Sequence, residues 1–274
     1  MSKHLRIWLF ALLGTLLTST SLLAQGVITM TIYKPAGETI KLRIEANGNF
    51  TIEGAQETSR ETVDGTGRKY YILKSQTITI RGDVTKLVCY KNQLTSLDVS
   101  KNTALKWLSC GENPLTSLDV SKNTALTTLA CDDNQLTSLD VSKNTALKVL
   151  SCGSNQLTSL DLSKNPALTD LYCGDNQLTS LDLSKNPALT DLYCGDNNLT
   201  NLNISGCARL KTLSCSGNSI NGKAMTKLVN SLPNRRGKSF GWFAVIGPSP
   251  KKRGENRCSA TDVTTARRKN WRIP

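Results

Sequence analysis

Apolar and polar positions along this chain fall into a pattern that recurs every 21 residues. In the copy that begins at Leu108 the apolar positions are Leu108, Cys110, Leu115, Leu118, Val120 and Leu126, with Asn113 between the second and third. Near-complete copies begin at Leu87, Leu108, Leu129, Leu150, Leu171 and Leu192, and a degraded one begins at Leu213. The alternation through Leu108 and Cys110 predicts a short strand with one buried face. The asparagine then closes a turn, and its amide can satisfy backbone groups of that turn and the next. Thr116 to Ala125 is too short for a helix of several turns and is expected to be extended or 3₁₀. Units of this kind stack with their strands parallel, about 4.8 Å apart, into one curved sheet. No single unit buries its apolar face alone, so the stack is what folds: a solenoid, whose usual use is as a binding surface.

The flanks do not repeat. Residues 25–84 carry ITMTI from Ile28, TIKLRIEA from Thr39, NFTIEG from Asn49, KYYILK from Lys69 and TITIRG from Thr77, each reading as a short strand. Turns at Ala46-Asn47-Gly48 and Asp64-Gly65-Thr66-Gly67 separate them. This is expected to be a small β cap over the open apolar end of the solenoid. At the other end, AMTKLVNSL from Ala224 has helical spacing and stops at Pro233. GWFAVIG from Gly241 reads as a buried strand, and TDVTTARRKNW as a second helix with Thr261 as N-cap. The organisation is therefore a leader over 1–24, a β cap over 25–84, the solenoid over 85–217 and an α/β cap over 218–274.

The leader reading rests on Lys3, His4 and Arg6 ahead of an apolar run from Ile7 to Leu17, with Leu22-Leu23-Ala24 before Gln25. That is the pattern of a secretory signal peptide, and no other segment could span a bilayer once it is removed. Charge is uneven. Residues 85–217 hold 11 basic and 12 acidic side chains, whereas residues 218–274 hold 13 basic against 2 acidic. The net charge of +13 thus belongs mainly to one end piece.

The consensus LxxLxCxxNxL, at Leu105, Leu108, Cys110, Asn113 and Leu115, resembles a leucine-rich repeat with cysteine in place of the third leucine. Its second half, LTSLDVSKNTAL, resembles the short back segment of bacterial internalin-type repeats. More narrowly, the chain is similar to the secreted internalin-related leucine-rich-repeat proteins of the Bacteroidetes kind, strongly over Val84 to Pro233 and weakly in the flanks. The resemblance implies an α/β repeat solenoid with a curved parallel β-sheet, and a non-enzymatic protein-binding module for adhesion or for host or cell-surface interaction. Similar proteins usually continue and often carry a sorting domain for outer-membrane export, which this sequence does not show. A periplasmic location therefore stands beside a secreted or cell-surface one.

The residues expected to meet a partner are those on the concave face of the sheet. Tyr172 and Tyr193 recur in adjacent units with Asp170, Asp175, Asp191 and Asp196, and Tyr90, Trp107 and Asp132 lie nearer the N-terminal end. Aromatic side chains are enriched among interface hot spots, and the carboxylates favour a basic protein partner; calcium is the weaker option. Lys251, Lys252, Arg253, Arg267, Arg268 and Lys269 are candidates for an anionic glycan; nucleic acid is not expected of an exported protein. On the back, a lysine ladder (Lys101, Lys122, Lys143, Lys164, Lys185) and an aspartate ladder (Asp98, Asp119, Asp140, Asp161, Asp182) are expected to neutralise each other.

Seven cysteines at the strand position, Cys89 to Cys215, are expected to form a buried ladder of thiols rather than disulfides, because stacked parallel Cβ vectors suit disulfide torsions poorly. Cys207 and Cys258 stand apart as candidates for exposed or paired thiols. Catalysis is not expected. The single histidine is His4, inside the leader, which removes Ser-His and Cys-His dyads and His metal sites from the mature chain. No phosphate loop or dinucleotide fingerprint appears, and neither a cofactor nor a metal is implied.

Overall fold

The structure, a computed structural model, describes residues 26–58, 63–245 and 255–273; the leader and the Lys251–Arg253 cluster lie outside them. The N-terminal cap contains β1 (Val27–Ile32), β2 (Thr39–Glu53), β3 (Ala55–Glu57), β4 (Lys69–Leu73) and β5 (Thr77–Val88). β1, β2 and β4 pair antiparallel with their neighbours, and β5 sits between β1 and β2. The predicted turn at Ala46-Asn47-Gly48 is a bulge instead. The register against β5 shifts on both sides of it, and Gly48 takes a left-handed φ of 87°, so one long strand continues where two were expected. The turn at Asp64 is real. Its carboxylate accepts from the backbone N–H of Thr66 and Arg68 and from the Thr66 hydroxyl. Partial burial would raise this carboxyl, but those bonds and the Arg68 guanidinium hold it well below the usual range.

β5 also supplies the first rung of the solenoid, since its last residues pair in parallel with the next unit. The units then contribute β6 (Leu94–Asp98), β7 (Trp107–Ser109), β8 (Thr128–Ala130), β9 (Val149–Ser151), β10 (Asp170–Tyr172), β11 (Ser180–Asp182), β12 (Asp191–Tyr193), β13 (Asn201–Asn203) and β14 (Thr212–Ser214). The front strands pair parallel with a uniform register: Leu87, Leu108, Leu129, Leu150, Leu171, Leu192 and Leu213 stand opposite one another in turn. The back segments are extended or turn, without helix, and in two units they pair as β11 with β13. Every repeated leucine of this inner column is fully buried, as are the seven repeated cysteines. Each buried leucine contributes about 1.5–3 kcal/mol relative to exposure, and only the neighbouring units supply the cover.

Two asparagine ladders run through the core. In the front ladder Asn155 donates from Nδ2 to the carbonyls of Cys131, Cys152 and Gly153 at 3.0, 3.2 and 3.0 Å, and its Oδ1 accepts from Leu136 N at 2.9 Å. Asn113, Asn134, Asn176, Asn197 and Asn218 bond in the same way. The amide therefore ties its own turn to the preceding unit, not to the following one as expected. The asparagine sits at the C-terminal end of its strand, and the orphan N–H within reach belongs to the unit beneath. In the back ladder Asn123, Asn144, Asn165 and Asn186 donate to two carbonyls of the preceding unit, while no donor among the described residues reaches their Oδ1 atoms.

The thiols are all free and, Cys258 excepted, buried. Burial pushes Cys110, Cys173 and Cys215 up to about 12. Cys207 is not exposed. It replaces a back-ladder asparagine, is 1% exposed, and its thiol donates to the Leu183 carbonyl at 3.3 Å as that amide would. Cys258 alone is half-buried, with its thiol pushed by burial up to about 11.

The C-terminal cap comprises α1 (Lys223–Ser231), β15 (Gly241–Ala244), α2 (Ala260–Arg268) and β16 (Trp271–Arg272). β15 pairs parallel with β14, and β16 with β15, so the front sheet continues beyond the last repeat. Phe243 takes the place of the inner leucine and Val245 that of the cysteine. Asn256 takes the asparagine's place, accepting from Ile220 N at 2.8 Å and donating to Cys215 O at 2.7 Å and Val245 O at 2.9 Å. The N-cap of α2 is Ser259, not Thr261: its hydroxyl accepts from Asp262 N, and Asp262 accepts from Ser259 N, a reciprocal capping box that places Thr261 inside the first turn. Trp271 is buried and Trp242 is 43% exposed. No helix among the described residues is long and apolar enough to cross a membrane.

Candidate functional site

The uniform register turns the outward residues of the front sheet into columns. On the N-terminal side of each buried leucine stand Lys86, Trp107, Thr128, Val149, Asp170, Asp191 and Thr212, continued by Trp242 and Arg272. On the other side stand Val88, Ser109, Ala130, Ser151, Tyr172, Tyr193, Ser214 and Ala244. Large and small residues are not mixed at random in the second column. Tyr172 and Tyr193 stand alone among residues no larger than valine.

Their rings stack with centroids 4.9 Å apart and planes within 8°. That separation is the spacing of adjacent strands, so the backbone itself sets the stack. Each ring is 39% exposed. Beside them Asp170 and Asp191 are held in one orientation by the hydroxyls of Thr169 and Thr190, at 2.6 and 2.5 Å. Partial burial, then the Asp170 carboxylate, pushes the Tyr172 phenol above its ordinary value.

Asp175 and Asp196 do not belong to the strand columns. They occupy a left-handed turn position, φ 53° and 52°, shared with Lys91, Glu112, Asp133, Ser154 and Gly217. Asp and Asn enter that region more readily than most side chains, and glycine freely. The row therefore borders the sheet, and its residue types follow a backbone demand that their variety hides in sequence. Among the described residues none of Asp170, Asp175, Asp191 and Asp196 is in an ion pair.

Tyr90 and Asp132 are brought together at the N-terminal end, where they line a cleft of about 210 Å³ with Ser109, Gly111 and Glu112. The Arg68 guanidinium lies over the Tyr90 ring at 3.7 Å while pairing with Asp64 at 2.9 Å. Trp107 is separate from that cleft, 42% exposed, with the Lys86 ammonium 4.5 Å from its ring. Trp242 and Arg272 were missed as members of this face. The signal was present in the alternation Gly241, Phe243, Val245, which buries every second residue and turns Trp242 outward.

The family described as leucine-rich repeats in two copies matches residues 145–186. The fold is that of a leucine-rich-repeat solenoid. Among solved structures, the functional domain of InlJ from Listeria monocytogenes, described as including a cysteine ladder, is 38% identical to this chain. It superposes with a TM-score of 0.51, over 58% of this chain and 34% of that one. This chain thus spans about a third of the InlJ domain's length. A leucine-rich-repeat protein of Leptospira interrogans is 26% identical, with a TM-score of 0.45, over 54% of this chain and 47% of that one. An internalin, InlF, of Listeria monocytogenes is 17% identical, with a TM-score of 0.49, over 64% and 55%. No curated protein matches the chain.

The charged candidates outside the leucine-rich-repeat sheet divide. Lys251, Lys252 and Arg253 lie outside the described residues. Arg267 and Arg268 are exposed at the end of α2. Lys269 donates to the carbonyls of Asn230 and Leu232, at 2.6 and 2.9 Å, and so closes the C-terminal end of α1. On the back of the leucine-rich repeats, the aspartate ladder does not pair with the lysine ladder among the described residues. Asp119, Asp140, Asp161 and Asp182 accept from the backbone N–H two residues on, at 2.8–2.9 Å, and thereby close the turn. That N–H and the serine hydroxyl, more than the nearby lysines, hold these carboxyls below their usual range.

Proposed function

We propose that this leucine-rich-repeat protein is a non-enzymatic, exported binding module that holds an extracellular or cell-surface protein on its concave sheet, in adhesion or host interaction. The observation that carries the reading is the exposed Tyr172–Tyr193 stack with the Asp170 and Asp191 carboxylates beside it, neither of them in an ion pair among the described residues. Rigid aromatic area with few rotatable bonds is what interface hot spots use, and uncompensated carboxylates steer a basic partner. The test is binding of the purified protein to immobilised extracellular-matrix and cell-surface proteins at low and high salt. Saturable binding that survives high salt and weakens at least about tenfold in Tyr172→Ala plus Tyr193→Ala is expected. Binding indifferent to both tyrosines removes the concave face from the function.

A second reading, an envelope scaffold that holds anionic glycans through its cationic cap, is favoured by one observation. Among the described residues no cation of the C-terminal cap is in an ion pair, whereas every ion pair lies at or before Glu112. Binding that collapses with salt and is lost in Arg267→Ala plus Arg268→Ala would assign the function to the cap. Removing residues 234–274 would not test it, because that segment carries β15, Asn256 and Trp271, which close the solenoid.

A further inference from the structure

We infer that the Tyr172–Tyr193 stack reads arginine: the partner segment lays a planar guanidinium on an open outer face of the stack and pairs it with Asp170 or Asp191. The inference deepens the concave-face reading above and rests on it. Two parallel rings at strand spacing cover each other's inner faces, and their outer faces look along the column toward the neighbouring rungs. Those rungs are Ser151, opposite Tyr172, and Ser214, opposite Tyr193. A serine reaches too short a distance from the sheet to cover a phenol ring, so each end of the stack is a slot one strand spacing wide, about 4.8 Å. That gap suits a planar group laid face to face on the ring.

Charge selects which planar group enters. Asp170 and Asp191 lie two residues before the tyrosines on the same strands, so their side chains share the face. Thr169 and Thr190 each engage one carboxylate oxygen, and among the described residues no protein donor reaches the other. A ring face beside a carboxylate favours a cation, and a planar fork of donors satisfies both at once in a way that an ammonium does not. The chain already contains this arrangement. Arg68 stacks on Tyr90 at 3.7 Å and pairs with Asp64 at 2.9 Å. Lys86 over Trp107 and Arg272 over Phe240, at 4.5 and 3.5 Å, cover two further exposed aromatics from within the molecule. Among the described residues the Tyr172–Tyr193 pair has no such internal cation, and two carboxylates stand ready beside it.

The test compares two capped peptides of equal length and charge, one with arginines and one with lysines spaced by glycine, against the whole protein. Fluorescence anisotropy at low and at high salt reads both. The protein's net charge of +13 opposes non-specific binding of either peptide. The arginine peptide is expected to bind about tenfold tighter than the lysine peptide, with the difference persisting at high salt. Tyr172→Leu plus Tyr193→Leu should bring the ratio to about one, and Asp170→Asn plus Asp191→Asn should weaken both peptides. All four side chains are at the surface, and circular dichroism checks that the variants stay folded. Equal binding of the two peptides, no binding of either, or an arginine preference that survives loss of the tyrosines overturns the inference. If partner capture still depends on the tyrosines in any of those cases, the concave-face reading stands without it. If the arginine preference holds while partner capture ignores the tyrosines, it is the functional reading that falls.

Discussion

Asn155→Ala isolates what one rung of the front ladder contributes. The amide's three acceptors do not depend on it alone. Cys131 O keeps Asn134 at 3.0 Å, Cys152 O keeps Asn176 at 2.9 Å, and Gly153 O keeps the Asp133 N–H at 3.0 Å. The Leu136 N–H has no such second partner, since Asn155 Oδ1 is its only acceptor among the described residues. The substitution therefore leaves one buried donor unsatisfied, costing about 1–3 kcal/mol, and weakens three shared bonds worth about 1 kcal/mol more together. The expected loss is about 2–4 kcal/mol, or roughly 4–16 °C in Tm for a domain of this size. Asn165→Ala in the back ladder is the internal control. Its two carbonyl acceptors keep the Asn144 and Leu147 N–H groups, and its Oδ1 accepts nothing from the protein, so no donor is orphaned. Urea unfolding followed by circular dichroism should rank Asn155→Ala below Asn165→Ala by about 1–3 kcal/mol. Asn155→Asp sharpens the comparison. One carboxylate oxygen still accepts from Leu136, but the other faces three carbonyls, so the folded state favours the protonated acid. The folded pKa is then raised above the unfolded value of about 3.9, and the variant's stability is fully present below that value and lost as pH rises through the folded one. Equal losses at the two alanine sites, or an Asn155→Asp loss that ignores pH, would refute this account of the ladder.

Four further outcomes are expected. In the parent protein the turn aspartates Asp119, Asp140 and Asp161 have depressed pKa values in the folded state, so their contribution is complete above about 3.9 and disappears as pH falls below it. Replacing all three by Asn, which already closes the same turn at Asn203, should lower stability at neutral pH by that contribution and flatten its acid decline in thermal melts. Ser154→Val forces a β-branched residue to φ 50° and should cost about 1–2 kcal/mol, whereas Ser154→Gly should be no less stable than the parent, both read by Tm. Alkylation of the native protein should modify Cys258 well before any other thiol, with all nine cysteines reacting only on unfolding; early labelling of Cys207 would contradict its burial. Ser259→Ala removes the capping box of α2 and should lower stability by about 1 kcal/mol, while Thr261→Ala should not.

The repeat could be read from sequence because every unit presents the same demand. A leucine and a cysteine alternate, an asparagine closes the turn, and copying makes the period visible. The parts that stayed hidden meet the same demands with other residues. Phe243, Val245 and Asn256 rebuild a rung in the cap, but Asn256 follows Val245 at a sequence distance unlike that from cysteine to asparagine in the repeats, so no fixed spacing announces it. The left-handed turn accepts Lys91, Glu112, Asp133, Ser154, Asp175 and Asp196 alike, and Gly217 is the one residue whose type hints at the backbone. On the candidate face, the tyrosines and their aspartates were legible as outward positions. What was not legible is how their surroundings differ: Arg68 over Tyr90 comes from the N-terminal cap, which the repeat period cannot place.

The interchangeable contacts between units have a genetic consequence. Each rung bonds to its neighbour through the same leucine, cysteine and asparagine positions, so slippage of the coding sequence by one unit adds or removes 21 residues and leaves both ends with a partner that fits. The tyrosine-bearing units beginning at Leu171 and Leu192 share LYCGDN at their head, so a duplication of either one inserts a further ring into the stack while the caps move apart by a single strand spacing. A lineage carrying this gene can lengthen or shorten its aromatic stack in whole steps, by copy number alone and without a point mutation in the scaffold.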